Sequence, residues 1–180
     1  MIKDDVKDVL YSEEELDKKV KELGKIISED YKDKNLVLIG ILKGSVVFMT
    51  DLMKEITIPC SIEFMEVSSY GSDSKSSGVV KITKDLDSDI EGKDILIVED
   101  IIDTGLTLSY LVKYLKNRGA NSINIVCLLD KKETRQVDIP VTYTGFEVPN
   151  EFIIGYGIDY AEKYRNLPFV GSLKEEIYKK

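Results

Sequence analysis

The chain has 180 residues, of which 43% are hydrophobic and 32% charged, a composition that fits one folded domain and excludes a disordered polypeptide. Its formal net charge of -8 disfavours a general nucleic-acid binder, and no apolar run approaches the roughly 20 residues that span a bilayer. Because there is no histidine, Ser-His-Asp and Cys-His catalysis and His-ligated metal centres are excluded.

The chemistry must therefore come from carboxylates, Lys, Arg, hydroxyls and backbone amides, a set of groups that suits a hard cation such as Mg2+. The two cysteines, Cys60 and Cys127, lie in apolar stretches and are too few for a disulfide framework. Together with the lack of a signal pattern, they predict a cytoplasmic protein with buried thiols.

The N-terminal part predicts a helix followed by a buried strand. Ser12 and Glu15 have the spacing of a capping box, and apolar residues then recur at helical intervals at Leu16, Val20, Leu23 and Ile27. Residues 35–42 form a continuous apolar run, which is typical of a strand covered on both faces. A helix is predicted directly after it, over 45–56.

A serine- and glycine-rich segment, "SSYGSDSKSSG" (68–78), separates strands predicted at 60–67 and 79–83. The arrangement predicts a long hairpin whose loop has no apolar periodicity. This loop is either an overlong connection or an active-site lid.

The most regular unit is a strand at 94–100, a helix at 105–119 and a strand at 123–130. This order implies a right-handed crossover between parallel strands. Shorter irregular strands are expected within 152–158 and 168–173. The pattern predicts an α/β fold with an open, mostly parallel sheet, in which ligands bind at the carboxyl ends of the strands.

An acidic turn follows the strand 94–100. Glu99, Asp100 and Asp103 are too close together to be buried without a partner, so they face solvent, a cation or hydroxyl groups. Thr104 and Gly105 then open a helix, where free N–H groups favour an anion. The turn therefore suits a sugar phosphate, or else it is a solvated acidic loop with a helix cap. It is neither a Walker loop nor a dinucleotide fingerprint.

Other predicted strand ends also carry polar residues. Leu42-Lys43-Gly44-Ser45 offers either an anion-binding loop or an ordinary helix N-cap. Asp130 is followed by a basic turn with Lys131, Lys132 and Arg135. The segment 151–165 combines aromatic and charged residues.

Five segments in this order resemble the purine phosphoribosyltransferases, and most closely the bacterial hypoxanthine (hypoxanthine-guanine) phosphoribosyltransferases. They are "ILKGSVVF" (41–48), "SSYGSDSKSSG" (68–78), "ILIVEDIIDTGLTLSYL" (95–111), "LLDKKETR" (128–135) and "FIIGYGIDYAEKYRNLPFVG" (152–171). The third is similar to the motif that binds phosphoribosyl pyrophosphate (PRPP), and the last two narrow the match to 6-oxopurine enzymes.

The resemblance implies one type I phosphoribosyltransferase domain over 1–180, with its core at about 30–150. A small hood is expected from the N-terminal helix region and about 151–180, and a flexible loop at 68–78. The implied reaction is that of purine salvage, in which hypoxanthine or guanine and PRPP give IMP or GMP and pyrophosphate with Mg2+. The family usually forms homodimers or homotetramers, and neither nucleic acid nor a membrane is expected as a partner.

The resemblance also implies a role for each matching residue. Glu99 and Asp100 hold the ribose hydroxyls and, with Asp159, reach Mg2+; Asp103 is the general base or acid at purine N7. The 5′-phosphate is held by Asp103, Thr104, Gly105, Leu106 and Thr107, and pyrophosphate by Leu42, Lys43, Gly44 and Arg165. The purine is held by Lys131, Phe152, Ile153 and Asp159, and Ser69 and Tyr70 lie in the closing loop. The peptide before the lysine that matches Lys43 is often cis in this family.

Three alternatives remain open from the sequence. One is a phosphoribosyltransferase that prefers xanthine as its base. The matches at Lys131 and Phe152 argue against adenine as the base. Another is a non-catalytic nucleotide-binding regulator on the same fold. The third is a receiver-like signalling domain, which leaves the loop 68–78 and the C-terminal segment unexplained.

Overall fold

The structure is a computed structural model that describes residues 2–69, 80–139 and 141–179. Its strands are β1 (Val6–Tyr11), β2 (Leu36–Leu42), β3 (Cys60–Ser69), β4 (Val80–Lys84), β5 (Asp94–Ile102), β6 (Ser122–Asp130), β7 (Tyr143–Glu147), β8 (Ile153–Ile154) and β9 (Val170–Leu173). Its helices are α1 (Glu13–Asp30), α2 (Val46–Glu55), α3 (Leu106–Asn117) and α4 (Glu175–Tyr178), with 3-10 turns at Ile2–Asp5 and Lys132–Thr134.

A six-stranded sheet in the order β4-β3-β2-β5-β6-β7 forms the centre of the molecule. The parallel part of the sheet consists of β3, β2, β5, β6 and β7. Strand β4, at the edge next to β3, pairs antiparallel. This confirms the predicted α/β class. Because β2, β5 and β6 run in the same direction, the residues that follow them meet at one edge of the sheet.

Helices cover both faces of this sheet. In β2, Leu36 and Leu38 face a core shared with α1 and α2, while Val37 and Ile39 face a second core shared with α3. Burial of both faces explains why residues of this strand read as one continuous apolar run.

The first helix forms as its sequence predicts. The Ser12 N–H donates to Glu15 Oε2 (2.8 Å), and the Glu15 N–H donates to Ser12 Oγ (3.3 Å), which completes the capping box. The four apolar residues at helical spacing, Leu16, Val20, Leu23 and Ile27, are buried.

A second, three-stranded sheet has the order β1-β9-β8 and joins the two ends of the chain. Strand β1 has no sequence signal because its residues are largely exposed and include Lys7 and Asp8. Strand β7 was likewise not predicted, since it is an edge strand of mixed polarity. Helix α1 packs beside α2 on the large sheet, so β1 is the part of the N-terminal region that joins the small sheet.

The predicted hairpin is present, and its first strand is longer than expected. Strands β3 and β4 pair antiparallel, with Ser69 opposite Val80, so Ser69 ends a strand and does not lie in the loop. Tyr70 and the rest of the predicted loop lie outside the described residues.

Only one of the two thiols is enclosed. Cys127 is buried in β6, and this burial raises the pKa of its thiol to about 12. Cys60 is half-buried, so the prediction of two buried thiols is wrong for this residue. Among the helices that the structure describes, none has the length and apolar character needed to cross a bilayer.

Candidate functional site

Two adjacent carboxylates lie near the end of β5. Glu99 is buried and Asp100 is partly buried. The Asp100 N–H donates to Glu99 Oε1 (3.2 Å), and the Ile101 N–H donates to Asp100 Oδ1 (2.8 Å). Burial, and then the charge of Asp100, raise the pKa of Glu99 well above its ordinary value; burial also raises the pKa of Asp100. The pair therefore favours a cation or hydroxyl groups in contact with it.

The loop after β2 packs directly against this pair. A Cβ on Gly44 would lie 1.8 Å from Asp100 Oδ2, so no larger residue fits there without moving the carboxylate. On its other side, a Cβ on Gly157 would lie 2.3 Å from the Gly44 carbonyl oxygen. The peptide between Leu42 and Lys43 is cis, as the family resemblance implies. Gly44 thus packs against the Asp100 carboxylate on one side and against the chain at Gly157 on the other.

Ser45 does not take either role expected for its hydroxyl. The hydroxyl is buried and donates to the Ile41 carbonyl oxygen (2.7 Å), and α2 has no side-chain cap. Its hydroxyl is therefore committed within the loop and available neither to a ligand nor to the helix end.

The turn between β5 and α3 forms a small open cavity. Gly105 has a left-handed backbone (φ 83°), and a Cβ there would lie 2.5 Å from Ile139 Cδ1. The Gln136 N–H donates to the Thr104 carbonyl oxygen (2.9 Å), which ties the turn to the chain after β6. The cavity measures about 170 Å3 and is lined by Glu99, Asp103, Thr104, Gly105 and Thr107, with nearby apolar residues. A helix start of this kind suits a phosphate group.

A second cavity of about 330 Å3 lies beside the first. It is lined by Asp100, Ile101, Asp103, Lys131, Phe152, Ile153, Ile158 and Asp159. The Phe152 ring packs edge-to-face on Tyr160, with centroids 5.1 Å apart, and remains 40% exposed. Burial lowers the pKa of Lys131, and the charge of Asp103 partly opposes this shift. An exposed ring and an ammonium group in one cavity suit a planar heterocycle with a polar edge.

The basic turn after β6 supplies one cation to this cavity. The Lys132 ammonium pairs with Glu147, and the Arg135 guanidinium pairs with Asp130. Only Lys131 of the three predicted basic residues lines the cavity.

A charged cluster connects Lys43 to the segment after Gly157. Arg165 Nη1 donates to the Gly157 carbonyl oxygen (2.8 Å), and its Nη2 lies 2.9 Å from Asp159 Oδ1. Glu162 contacts both cations: its Oε2 lies 3.0 Å from Lys43 Nζ and its Oε1 lies 3.2 Å from Arg165 Nη2. Sequence reasoning missed Glu162, whose only signal is its place within "DYAEKYR" (159–165).

The predicted metal ligands do not form a closed cage. Within residues 2–69, 80–139 and 141–179, no group of three or more Asp, Glu or Cys side chains could hold a metal ion. Mg2+ is commonly bound by one or two carboxylates together with substrate phosphates. The carboxylate pair at Glu99 and Asp100 fits such shared binding, since a cation would favour the ionised carboxylates that burial disfavours.

The structure brings most of the predicted site residues to one edge of the large sheet. The two cavities, the loop after β2 and the charged cluster contain Leu42, Lys43, Gly44, Glu99, Asp100, Asp103, Thr104, Gly105, Thr107, Lys131, Phe152, Ile153, Asp159 and Arg165. Leu106 begins α3 beside the smaller cavity. Ser69 ends β3, and Tyr70 lies outside the described residues.

Comparison with known proteins gives a consistent result. A family model described as "Phosphoribosyl transferase domain" matches residues 8–161. The chain is 56% identical to the hypoxanthine-guanine phosphoribosyltransferase of Bacillus subtilis over 99% of both chains, and 55% identical to that of Dictyostelium discoideum over 97% of this chain and 99% of the relative. A crystal structure of a hypoxanthine phosphoribosyltransferase from Staphylococcus aureus superposes with a TM-score of 0.97 at 50% identity, covering 99% of this chain and 97% of that one.

We expect Glu99→Gln to stabilise the metal-free protein at neutral pH. Because folding raises the pKa of Glu99, this carboxyl contributes stability below its unfolded pKa and loses that contribution as pH rises through its folded pKa. The variant should have a higher free energy of unfolding than the parent at pH 7, by the roughly 0.5–2 kcal/mol typical of one stabilising substitution, and the gain should vanish toward about pH 4. Urea unfolding across this pH range measures the effect. Glu91→Gln, at an exposed carboxylate, is the control. A Glu99→Gln protein less stable than the parent at pH 7 would contradict the expectation.

Proposed function

Since the chain belongs to the phosphoribosyltransferase family and, within it, to the hypoxanthine-guanine enzymes of purine salvage, we propose the following reaction for it. Hypoxanthine or guanine reacts with PRPP to give IMP or GMP and pyrophosphate, with Mg2+, in the cytoplasm. The observation that carries this proposal is the adjacency of the helix-start cavity, the carboxylate pair and the cavity with Lys131 and Phe152. These three features match the phosphate, the sugar and the base of one nucleotide.

The sugar phosphate binds at the end of β5. Glu99 and Asp100 accept hydrogen bonds from the ribose hydroxyls, which relieves the unfavourable burial of the two carboxylates. The 5′-phosphate occupies the cavity formed by Asp103 to Thr107, where backbone N–H groups and threonine hydroxyls donate to it.

The purine occupies the cavity between Lys131 and Phe152. The phenyl ring stacks on the base, and Ile153 meets the purine edge through its backbone. The Lys131 ammonium donates to the 6-oxo group; an amino group at that position could not accept this hydrogen bond.

Asp103 is the proposed general base or acid. Asp103 and Ile101 both line the two cavities, and of these two residues Asp103 carries the ionisable side chain. Asp103 therefore lies where the ribose and the purine meet. From there its carboxylate can exchange a proton with purine N7 as the bond to the sugar forms. Closure of the loop that follows Ser69 and contains Tyr70 then excludes water from the reacting sugar.

The leaving pyrophosphate lies against Leu42, Lys43, Gly44 and Arg165. Lys43 and Arg165 offset the charge that grows on it as it departs. Glu99 and Asp100 would share Mg2+ with the substrate, and Asp159 would reach the metal through water; the bound ion would supply further charge neutralisation. Following the family pattern, the chain assembles as a homodimer or homotetramer.

The direct test is product formation from PRPP and Mg2+ with hypoxanthine, guanine, xanthine and adenine in turn. We expect IMP and GMP from the first two bases and much slower product formation from adenine, because Lys131 selects for the 6-oxo group. Product from xanthine in preference to both would favour the xanthine enzyme. No product from any base would favour the nucleotide-binding regulator.

We expect Asp103→Asn to lower kcat by about 10²- to 10⁴-fold, since an amide cannot exchange the N7 proton. The Kd for PRPP should change little, because the substitution leaves the N–H groups at the start of α3 and the threonines that line the phosphate cavity in place. Steady-state kinetics and calorimetry measure the two quantities. Asp87→Asn, at an exposed carboxylate that pairs with Lys84, is the matched control. A kcat equal to that of the parent would remove Asp103 from the mechanism.

We expect Lys131→Ala to weaken discrimination between 6-oxo and 6-amino purines. The ratio of kcat/KM for hypoxanthine to that for adenine should fall by about 10-fold or more, which corresponds to loss of one charge-assisted hydrogen bond. Lys132→Ala serves as control, because that neighbouring ammonium pairs with Glu147 outside the cavity. The same ratio in both variants would overturn the role of Lys131.

A further inference from the structure

Glu162 occupies an unusual turn beside the proposed pyrophosphate loop. Tyr160 and Lys163 exchange backbone hydrogen bonds of 3.1 and 3.0 Å, which closes a two-residue turn. The residues between them, Ala161 and Glu162, have φ angles of 51° and 61°. Such turns normally use Asn-Gly or similar pairs, because residues with a Cβ are disfavoured at positive φ. A glutamate held there points to a role for its side chain.

The Glu162 carboxylate bridges two cations of the proposed site. One oxygen contacts Lys43 Nζ at 3.0 Å and the other contacts Arg165 Nη2 at 3.2 Å. Lys43, and then Arg165, lower the pKa of Glu162, so its side chain is an anion at neutral pH. Both Lys43 and Glu162 are exposed, by 57% and 64% of their side chains, so either can exchange partners without opening the core.

These contacts give Glu162 the position that an anionic oxygen of a ligand would take between the same two cations. Its backbone N–H also donates to Asp159 Oδ2 (2.8 Å), while Asp159 Oδ1 contacts Arg165. Glu162 is thereby attached to the group that orients Arg165, and only its carboxylate is free to leave.

We propose that the Glu162 carboxylate is an internal counter-ion for Lys43 and Arg165, which pyrophosphate must displace on binding and which returns as pyrophosphate leaves. This inference rests on the proposed function in assigning Lys43 and Arg165 to pyrophosphate. In this role Glu162 weakens the binding of pyrophosphate and thereby promotes its release as a product. Electrostatic attraction of both cations to a nearby carboxylate reduces the net gain from a second anion.

Glu162→Gln keeps the size of the side chain and removes its charge. We expect it to bind pyrophosphate about 2- to 10-fold more tightly than the parent, the range set by loss of competition from an exposed ion pair with Lys43 and a partly exposed one with Arg165. The difference should shrink at high ionic strength, since exposed pairs are screened by salt. The Kd for IMP should stay the same, because IMP fills the base and 5′-phosphate cavities and carries no pyrophosphate.

Calorimetric titration of pyrophosphate and of IMP, at one fixed Mg2+ concentration, tests these expectations. Glu22→Gln is the matched control, because it removes one carboxylate from an exposed ion pair with Lys19 on α1. Weaker or unchanged pyrophosphate binding in Glu162→Gln would overturn the proposal, as would a parallel change in the Kd for IMP. Formation of IMP from PRPP and hypoxanthine by the parent chain is assayed separately, so failure of the proposed function remains distinguishable from failure of this inference.

Discussion

The close approach of Gly44 to the carboxylate of Asp100 is the constraint on which the site depends. Strands β2 and β5 are parallel neighbours in the large sheet, so the segments that follow them leave the sheet side by side at the same edge. Only the missing side chain at Gly44 leaves room for Asp100, and only the missing side chain at Gly157 leaves room for the Gly44 carbonyl. The close packing of these three segments fixes where Lys43, the carboxylate pair and Arg165 lie relative to one another.

The local balance of charge at this edge differs from that of the whole chain. The net charge of -8 is unfavourable for an anionic ligand, and the buried Glu99 and the partly buried Asp100 lie at the centre of the site. However, Lys43, Lys131 and Arg165 and the start of α3 surround this centre with positive charge or N–H donors. Because close charges and oriented dipoles outweigh distant ones that solvent screens, a net-acidic protein can hold a polyanionic substrate here.

The two sheets contribute different parts of this arrangement. The large sheet supplies the ends of β2, β5 and β6, which its parallel pairing holds at one edge. The small sheet supplies Ile153, and with it the adjacent Phe152, opposite Lys131. The base cavity therefore lies between two separately built layers, whereas the phosphate cavity is made by a single strand-to-helix turn.

The sequence by itself determined the parts of the fold that depend on local patterns. Continuous apolar runs marked β2, β5 and β6, and the capping box marked α1, because burial on both faces and helix capping leave a signature within a few residues. Only the tertiary structure decided that β1 pairs with β9, that Ser45 is committed to Ile41, and that Lys131 alone of three cations faces the cavity. It also placed Glu162 against Lys43, 119 positions away, a contact that depends on how distant segments pack and that no local pattern of residue types encodes.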